Sequence, residues 1–275
     1  MMKKLVSAML AFALLLSVAV VPVSAHSNIE RNTADALFQL KLFLGSGTTY
    51  ALDDMLTREQ GVTLLVRMLG KEEEAKAGLR AHPFLDVRGW SETYIAYAYA
   101  QKITNGTGNS SFSPLMTMTD QMFLTLCLRA IGYTDQGENK DFTFANPWDL
   151  SYTVGLVDSK DPNTSFTRAD AVMVFWNLLN SRLKGSALTL ADSLIAQGIF
   201  TNAAWENAVL VQKDGIGADD PTGETVVPVI YDPTDPTPDD PGETDPGQSD
   251  PAPNDPDQTD PDPVTPDSPT VTPRF

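Results

Sequence analysis

Two similar words constrain this chain more than any other feature. "LTREQGVTLLV" begins at Leu56 and "FTRADAVMVFW" at Phe166, and an altered copy, "MTDQMFLTLCLR", begins at Met118 between them. When the copies are aligned on Thr57, Thr119 and Thr167, the apolar residues coincide. Five residues on stand Val62, Leu124 and Val172; eight on, Leu65, Cys127 and Phe175; twelve on, Leu69, Ile131 and Leu179. That spacing marks one face of a helix. A unit with a single apolar face cannot bury it alone, so the copies must pack against one another. Cys127 fills a slot held elsewhere by Leu and Phe, which makes it a core residue. As the only cysteine it can form no internal disulfide, so stability has to come from the core.

The threonine explains itself. Thr57-x-x-Gln60 is a capping box and Thr167-x-x-Asp170 a close relative, so the hydroxyls satisfy first-turn amides and contribute about 1 kcal/mol each. The arginine does not. At a helix start a cation faces the positive end of the dipole, which costs a few tenths, roughly, of a kcal/mol. Arg58 and Arg168 therefore call for an anionic partner. With the threonines capping the helices, folding is expected to survive loss of either arginine.

The upstream halves repeat as well. "FLDVRGW" (Phe84 to Trp90) and "FTFANPW" (Phe142 to Trp148) share Phe and Trp, each followed one helical turn later by Tyr94 or Tyr152. Gly-rich loops follow in the first two copies, "LGSGTTY" and "TNGTGNSSFSP", with Tyr50 and Phe112 each seven residues before the motif threonine. The third copy has a shortened loop. Each unit reads as helix, loop, helix, and the fold class as mostly α: three helix–loop–helix repeats around a helical bundle.

The remaining segments differ in kind. Residues 1–25 have the layout of a signal peptide, with Lys3 and Lys4, an apolar run from Leu5, and Val23-Ser24-Ala25 after Pro22. An uncleaved membrane anchor is the other reading of that run. Residues 26–80 form the first repeat, truncated at its entry; 81–134 the second; 135–185 the third; and 186–212 a terminal capping helix over the end of the bundle, with helical spacing at Leu190, Leu194 and Ile195 and then a Gly-Ile-Phe turn. Residues 213–275 hold fifteen of the 20 prolines and nearly all of the net charge of −17. No apolar periodicity runs through them, so they read as a disordered acidic spacer.

The combination "FLDVRGWSETYIAYAYAQKITNGTGNSSFSP" with "LTREQ" and "FTRAD" resembles the S-layer homology modules of bacterial cell-surface proteins. The resemblance implies a three-pronged helical module that binds anionic secondary cell-wall polysaccharide, often pyruvylated, in grooves between the prongs. It assigns the ligand carboxylate to Arg58 and Arg168, sugar hydroxyls to Asp86, and a groove wall to Trp90. Trp148, the counterpart of Trp90, is both a groove candidate and a core candidate. Gly106 would let backbone approach the ligand. Independently, a guanidinium fork suits a carboxylate. Two departures stand out: Asp120 replaces the arginine of the second copy, and Phe144 takes the place of Asp86 in the third.

No basic patch points to nucleic acid, and after signal cleavage no membrane contact is expected. No nucleophile elbow, phosphate loop or Cys/His metal spacing is present, so neither catalysis, cofactor nor metal is expected. Two readings stay open: an exported wall-binding protein, and an envelope scaffold whose repeats pack against other surface proteins. Because the acidic segment lacks core residues, deleting 219–275 should leave cooperative unfolding intact and shift the thermal midpoint by no more than about a degree. Calorimetry of the shortened chain checks this.

Overall fold

A computed structural model describes residues 28–45, 49–78 and 80–215. The signal segment and the spacer from residue 216 on lie outside the described residues. Those described form nine α-helices and one 3-10 turn, with isolated bridges but no β-strand among them. In chain order the helices are α1 Asn28–Gln39, α2 Arg58–Met68, α3 Glu72–Lys76, α4 Glu92–Ala100, α5 Asp120–Ala130, α6 Trp148–Thr153, α7 Arg168–Asn180, α8 Leu190–Ala196 and α9 Asn202–Asp214. The 3-10 turn, Gly89–Ser91, leads into α4.

The three motif helices α2, α5 and α7 start where the threonines put them. Thr57 accepts from the Gln60 amide while the Gln60 side chain accepts from the Thr57 amide, a complete capping box. Thr119 accepts from the Met122 amide, and the Asp170 carboxylate takes both the amide and the hydroxyl of Thr167. All nine residues of the aligned apolar register are buried. Leu65, Cys127 and Phe175 are each 0% exposed, so the shared slot is one position in a common core. Phe123 joins it, with its ring centroid 5.1 Å from that of Phe175.

The packing runs in a cycle. The upstream helix of each segment lies on the motif helix of the segment before it: α4 on α2, α6 on α5, and α1 on α7. Each motif helix thus covers its apolar face with a neighbour's helix, as single-faced units must. The first segment supplies both helices of its pair. What it lacks is the Phe-x-Asp-Val entry, not the helix.

Two expectations are corrected. The terminal cap is two helices, because Gly198, at φ 76, turns the chain after α8. α8 packs on α7, whereas α9 returns to pack along α1, bringing the two ends of the described region together. Trp176 of α7, Trp205 of α9 and Phe200 between α8 and α9 stack in series, with centroids 5.2 and 6.0 Å apart. α9 also runs to Asp214, two residues into the expected spacer. The two tyrosines one turn after the tryptophans, moreover, are not equivalent. Tyr94 is buried and donates to Glu72 at 2.6 Å, while Tyr152 is about half exposed beside Lys160.

Burial raises the Cys127 thiol far above its ordinary pKa, leaving it protonated and inert. A hydrophilic alkylating reagent should therefore label it only after denaturation. Cys127→Ser should cost about 1–3 kcal/mol by burying a hydroxyl among apolar neighbours. Timed alkylation and urea unfolding check both.

Candidate functional site

The Thr-Arg motifs meet the Gly-rich loops of the adjacent segments, and each arginine turns away from its own helix. At the first junction the leading amides of α2 donate to the second segment's loop, Arg58 N to Met116 O at 2.9 Å and Glu59 N to Pro114 O at 3.1 Å. The guanidinium follows them in. Arg58 Nε donates to the Phe112 carbonyl at 2.9 Å, with its Cζ 4.7 Å from the Phe112 ring centroid. From the other side, the two Asp86 oxygens accept the amides of Phe112 and Ser113, both at 2.8 Å. Phe112 is thereby clamped at its carbonyl by Arg58 and at its amide by Asp86.

The electrostatics follow this geometry. Burial pushes the Arg58 pKa below its usual value, opposed by the charge of Asp86 and assisted by that of Arg129. For Asp86, burial acts upward, but the accepted amides and Arg58 hold the carboxyl below its usual range. Among the described residues, Arg58 makes its protein hydrogen bond through Nε, and the two terminal nitrogens of the fork form none.

The third segment meets the first in the same way. Arg168 N donates to Asp54 O and Ala169 N to Leu52 O, at 2.9 and 3.0 Å. Arg168 Nε donates to the Tyr50 carbonyl at 2.9 Å, and the guanidinium lies 5.2 Å from the Phe43 centroid. Tyr50 is fixed in turn by its hydroxyl, which donates to the buried Asp35 of α1 at 2.7 Å. Short bridges, Thr57 with Thr117 and Met55 with Thr167, reinforce these two junctions.

The junction of the second segment with the third is built with opposite polarity. Asp120 stands where the arginines stand and is also buried, but it accepts where they donate. Its Oδ2 takes the Trp148 indole N–H at 2.7 Å and the Asn163 amide at 2.6 Å, and its Oδ1 takes the Gln121 amide at 2.6 Å. Gln121, whose counterparts Glu59 and Ala169 bond the adjacent loop, turns to its own neighbour's carboxylate. Two cavities of about 350 and 370 Å³ flank this junction and share Asp120, Trp148, Asn163 and Phe166.

The sequence-expected residues therefore fall into three places. Arg58 and Asp86 meet at the first junction, and Gly106 lies behind them with φ 75; a Cβ there would strike the Phe84 ring and the Ser111 carbonyl. The space at Gly106 is filled by the protein itself, so its glycine is required by loop packing. Trp90 lies in the 3-10 turn, partly exposed, beside Ser91, which donates to Glu59 of α2 at 2.6 Å. Arg168 is at the third junction. Trp148, half-buried against the core, belongs to the second. Sequence reasoning missed Phe43 and Asn163; it noted Tyr50 and Phe112 by position without seeing that their carbonyls receive the arginines.

The S-layer homology domain model matches residues 83–119, which hold Asp86, Trp90, Gly106 and Phe112. The chain is 28% identical over 196 residues to a middle cell wall protein of Brevibacillus brevis, covering 65% of this chain and 18% of that one. It is 31% identical over 143 residues to a surface layer protein of Brevibacillus choshinensis, covering 48% and 13%. An endoglucanase of a Bacillus species matches at 27% over 150 residues, covering 48% and 16%. The chain spans less than a fifth of the length of each of these relatives.

Folding is not independent of the motif arginines, contrary to the expectation from the caps. Arg58→Ala or Arg168→Ala strands a carbonyl of the adjacent loop and should cost about 1–3 kcal/mol. Asp120→Ala strands the Trp148 indole and the Asn163 amide and should cost as much, about 1–3 kcal/mol, with Asp120→Asn recovering part. Urea unfolding of the four variants measures these differences.

Proposed function

We propose that this chain, an S-layer homology protein of the bacterial cell surface, fastens itself to the wall by binding anionic secondary wall polysaccharide. In this reading the three segments are three repeats of one module, the grooves at their junctions hold the glycan, and no reaction is catalysed. The acidic, proline-rich segment after α9 acts as a spacer. The relatives named for cell wall and surface layer support the location, and the small share of each that is matched fits a fastening module within larger proteins.

The observation that carries the proposal is the state of Arg58. Its Nε is held by Phe112, its plane rests against the Phe112 ring, and the two terminal nitrogens make no protein hydrogen bond among the described residues. An oriented fork with two unused donors matches the geometry of a carboxylate. Little ordering remains to be done on binding, which favours affinity. Asp86, engaged with Phe112 and Ser113, positions that fork rather than offering its oxygens to a sugar. Trp90, partly exposed beside the same helix start, supplies an apolar face for a sugar ring.

A charge-assisted contact of this kind contributes about 1.5–3 kcal/mol, so Arg58→Lys should weaken wall binding roughly ten- to a hundredfold. Lysine keeps the charge but loses the fork. Sedimentation with purified wall fragments, with and without extraction of their polysaccharide, measures the effect, and near-ultraviolet circular dichroism checks the fold. A folded Arg58→Lys protein that sediments like the parent would falsify the proposal.

A further inference from the structure

The Gly-rich loop of the second segment contains the sequence's one Asn-Gly pair, Asn105-Gly106. In such a pair the main-chain nitrogen of the glycine can attack the side-chain carbonyl of the asparagine, since no Cβ on the glycine stands in the way. Three contacts in this loop bear on that reaction. The Gly106 N–H donates to the Thr104 hydroxyl at 3.3 Å rather than to a main-chain carbonyl. Asn105 Oδ1 accepts from Arg129 Nη2 at 3.2 Å, and Asn105 Nδ2 donates to the Thr104 carbonyl at 3.2 Å. Arg129 is itself held in place. Its Nε and Nη2 donate to Asp135 at 2.9 and 2.7 Å, and its Nη1 donates to the Ile103 carbonyl at 3.0 Å. A cavity of about 370 Å³ lies beside these groups, lined among others by Lys102, Asn105, Arg129 and Tyr133. Asn105 is exposed, so water reaches its amide carbon.

Each contact assists a step. As the Gly106 nitrogen adds to Asn105 Cγ, negative charge grows on Oδ1, and a fixed guanidinium donor stabilises it there. The Thr104 hydroxyl receives the Gly106 proton and gives its own to Nδ2, so that the proton leaves with the ammonia. The Cγ–Nδ2 bond breaks, and a cyclic imide joins Cγ to the Gly106 nitrogen. Water then opens the imide. Cleavage of the new Cγ–N bond leaves an ordinary aspartyl residue. Cleavage of the bond from the main-chain carbonyl to the Gly106 nitrogen leaves an isoaspartyl residue, with the chain running through the former side chain and lengthened by a methylene. Arg129 faces the new carboxylate in either product.

This loop has little room for added length at that point. A Cβ on Gly106 would already strike the Phe84 ring and the Ser111 carbonyl. The Phe84 ring packs on that of Phe112 with centroids 5.6 Å apart, and the Phe112 carbonyl holds Arg58. We propose that Asn105-Gly106 is a self-modifying linkage: Arg129 and Thr104 promote its deamidation, and the longer isoaspartyl main chain loosens the first junction.

The test incubates the full-length chain for days in warm, mildly alkaline buffer, both folded and in urea. Peptide mass mapping with enzymatic isoaspartyl methylation follows residue 105. The folded parent should convert at least as fast as the parent in urea. Arg129→Lys and Thr104→Val should each slow the folded reaction about tenfold or more. In urea both should match the parent, because the fold then supplies nothing. Circular dichroism identifies the folded variants, and if neither folds the parent's folded-to-urea ratio decides. The isoaspartyl form, separated by ion exchange, should unfold at lower urea than Asn105→Asp, which carries the same charge without the extra methylene. Slower conversion of the folded than of the unfolded parent, folded variants that convert like the parent, or an isoaspartyl form as stable as Asn105→Asp each overturns the proposal.

Discussion

A buried guanidinium donating to the carbonyl of a neighbouring loop is the interaction on which this architecture depends. A helix start leaves its first amides without partners, and in α2 and α7 the loop of the adjacent segment satisfies them. Arg58 and Arg168 extend the same line of donors by one more bond, to Phe112 and Tyr50. The chain thus spends a helix N-terminus and an arginine together on fixing where a neighbour's loop lies. Because each upstream helix also packs on the previous motif helix, the loop contact and the helix contact must agree, which closes the cycle in one arrangement.

This arrangement also resolves the apparent conflict of a cation at the positive end of a helix dipole. The conflict exists only if the side chain stays beside its own first turn. In both arginines it leaves, lies against an aromatic ring and meets a carbonyl dipole of the adjacent loop. A purely local argument, made along one helix, had no access to that partner. The guanidinium's burial is tolerable because Nε is bonded and its face is covered by a ring, a pairing that favours Arg over Lys.

The parts of the structure legible in the sequence were those set by periodicity and local capping. The five, eight, twelve register identified nine core positions, including Cys127, since a helix face needs no tertiary information to be seen. The threonine caps were equally readable, because their partners lie three residues away. What could not be read depended on contacts between distant residues. Asp86 bonds amides 26 and 27 positions on, and Arg168 a carbonyl 118 positions back. Gly106 was noticed, but the Phe84 ring packed where its Cβ would stand was not. The Gly-Ile-Phe turn at 198–200 was legible after the apolar face of Leu190, Leu194 and Ile195, but the second helix beyond it, α9, is held by contacts with α1.

Asp120 shows why a motif position is not a unit that can be exchanged by itself. From sequence it is a missing positive charge. In the structure it is an acceptor matched to two donors of the third segment, the Trp148 indole and the Asn163 amide. An arginine there would need a carbonyl seven residues before the next threonine, as Phe112 and Tyr50 provide, and a ring to lie against, as Phe112 and Phe43 provide. That position is held by Lys160, which pairs with Asp149 and lies over Tyr152. That position thus carries a lysine where the other two carry an aromatic residue. The loop shortening, Lys160 and Asp120 form one consistent set, and the cavities beside Trp148 are the space that set leaves open. The second junction is thus a different solution to the same closure problem, in which a carboxylate does by accepting what the arginines do by donating.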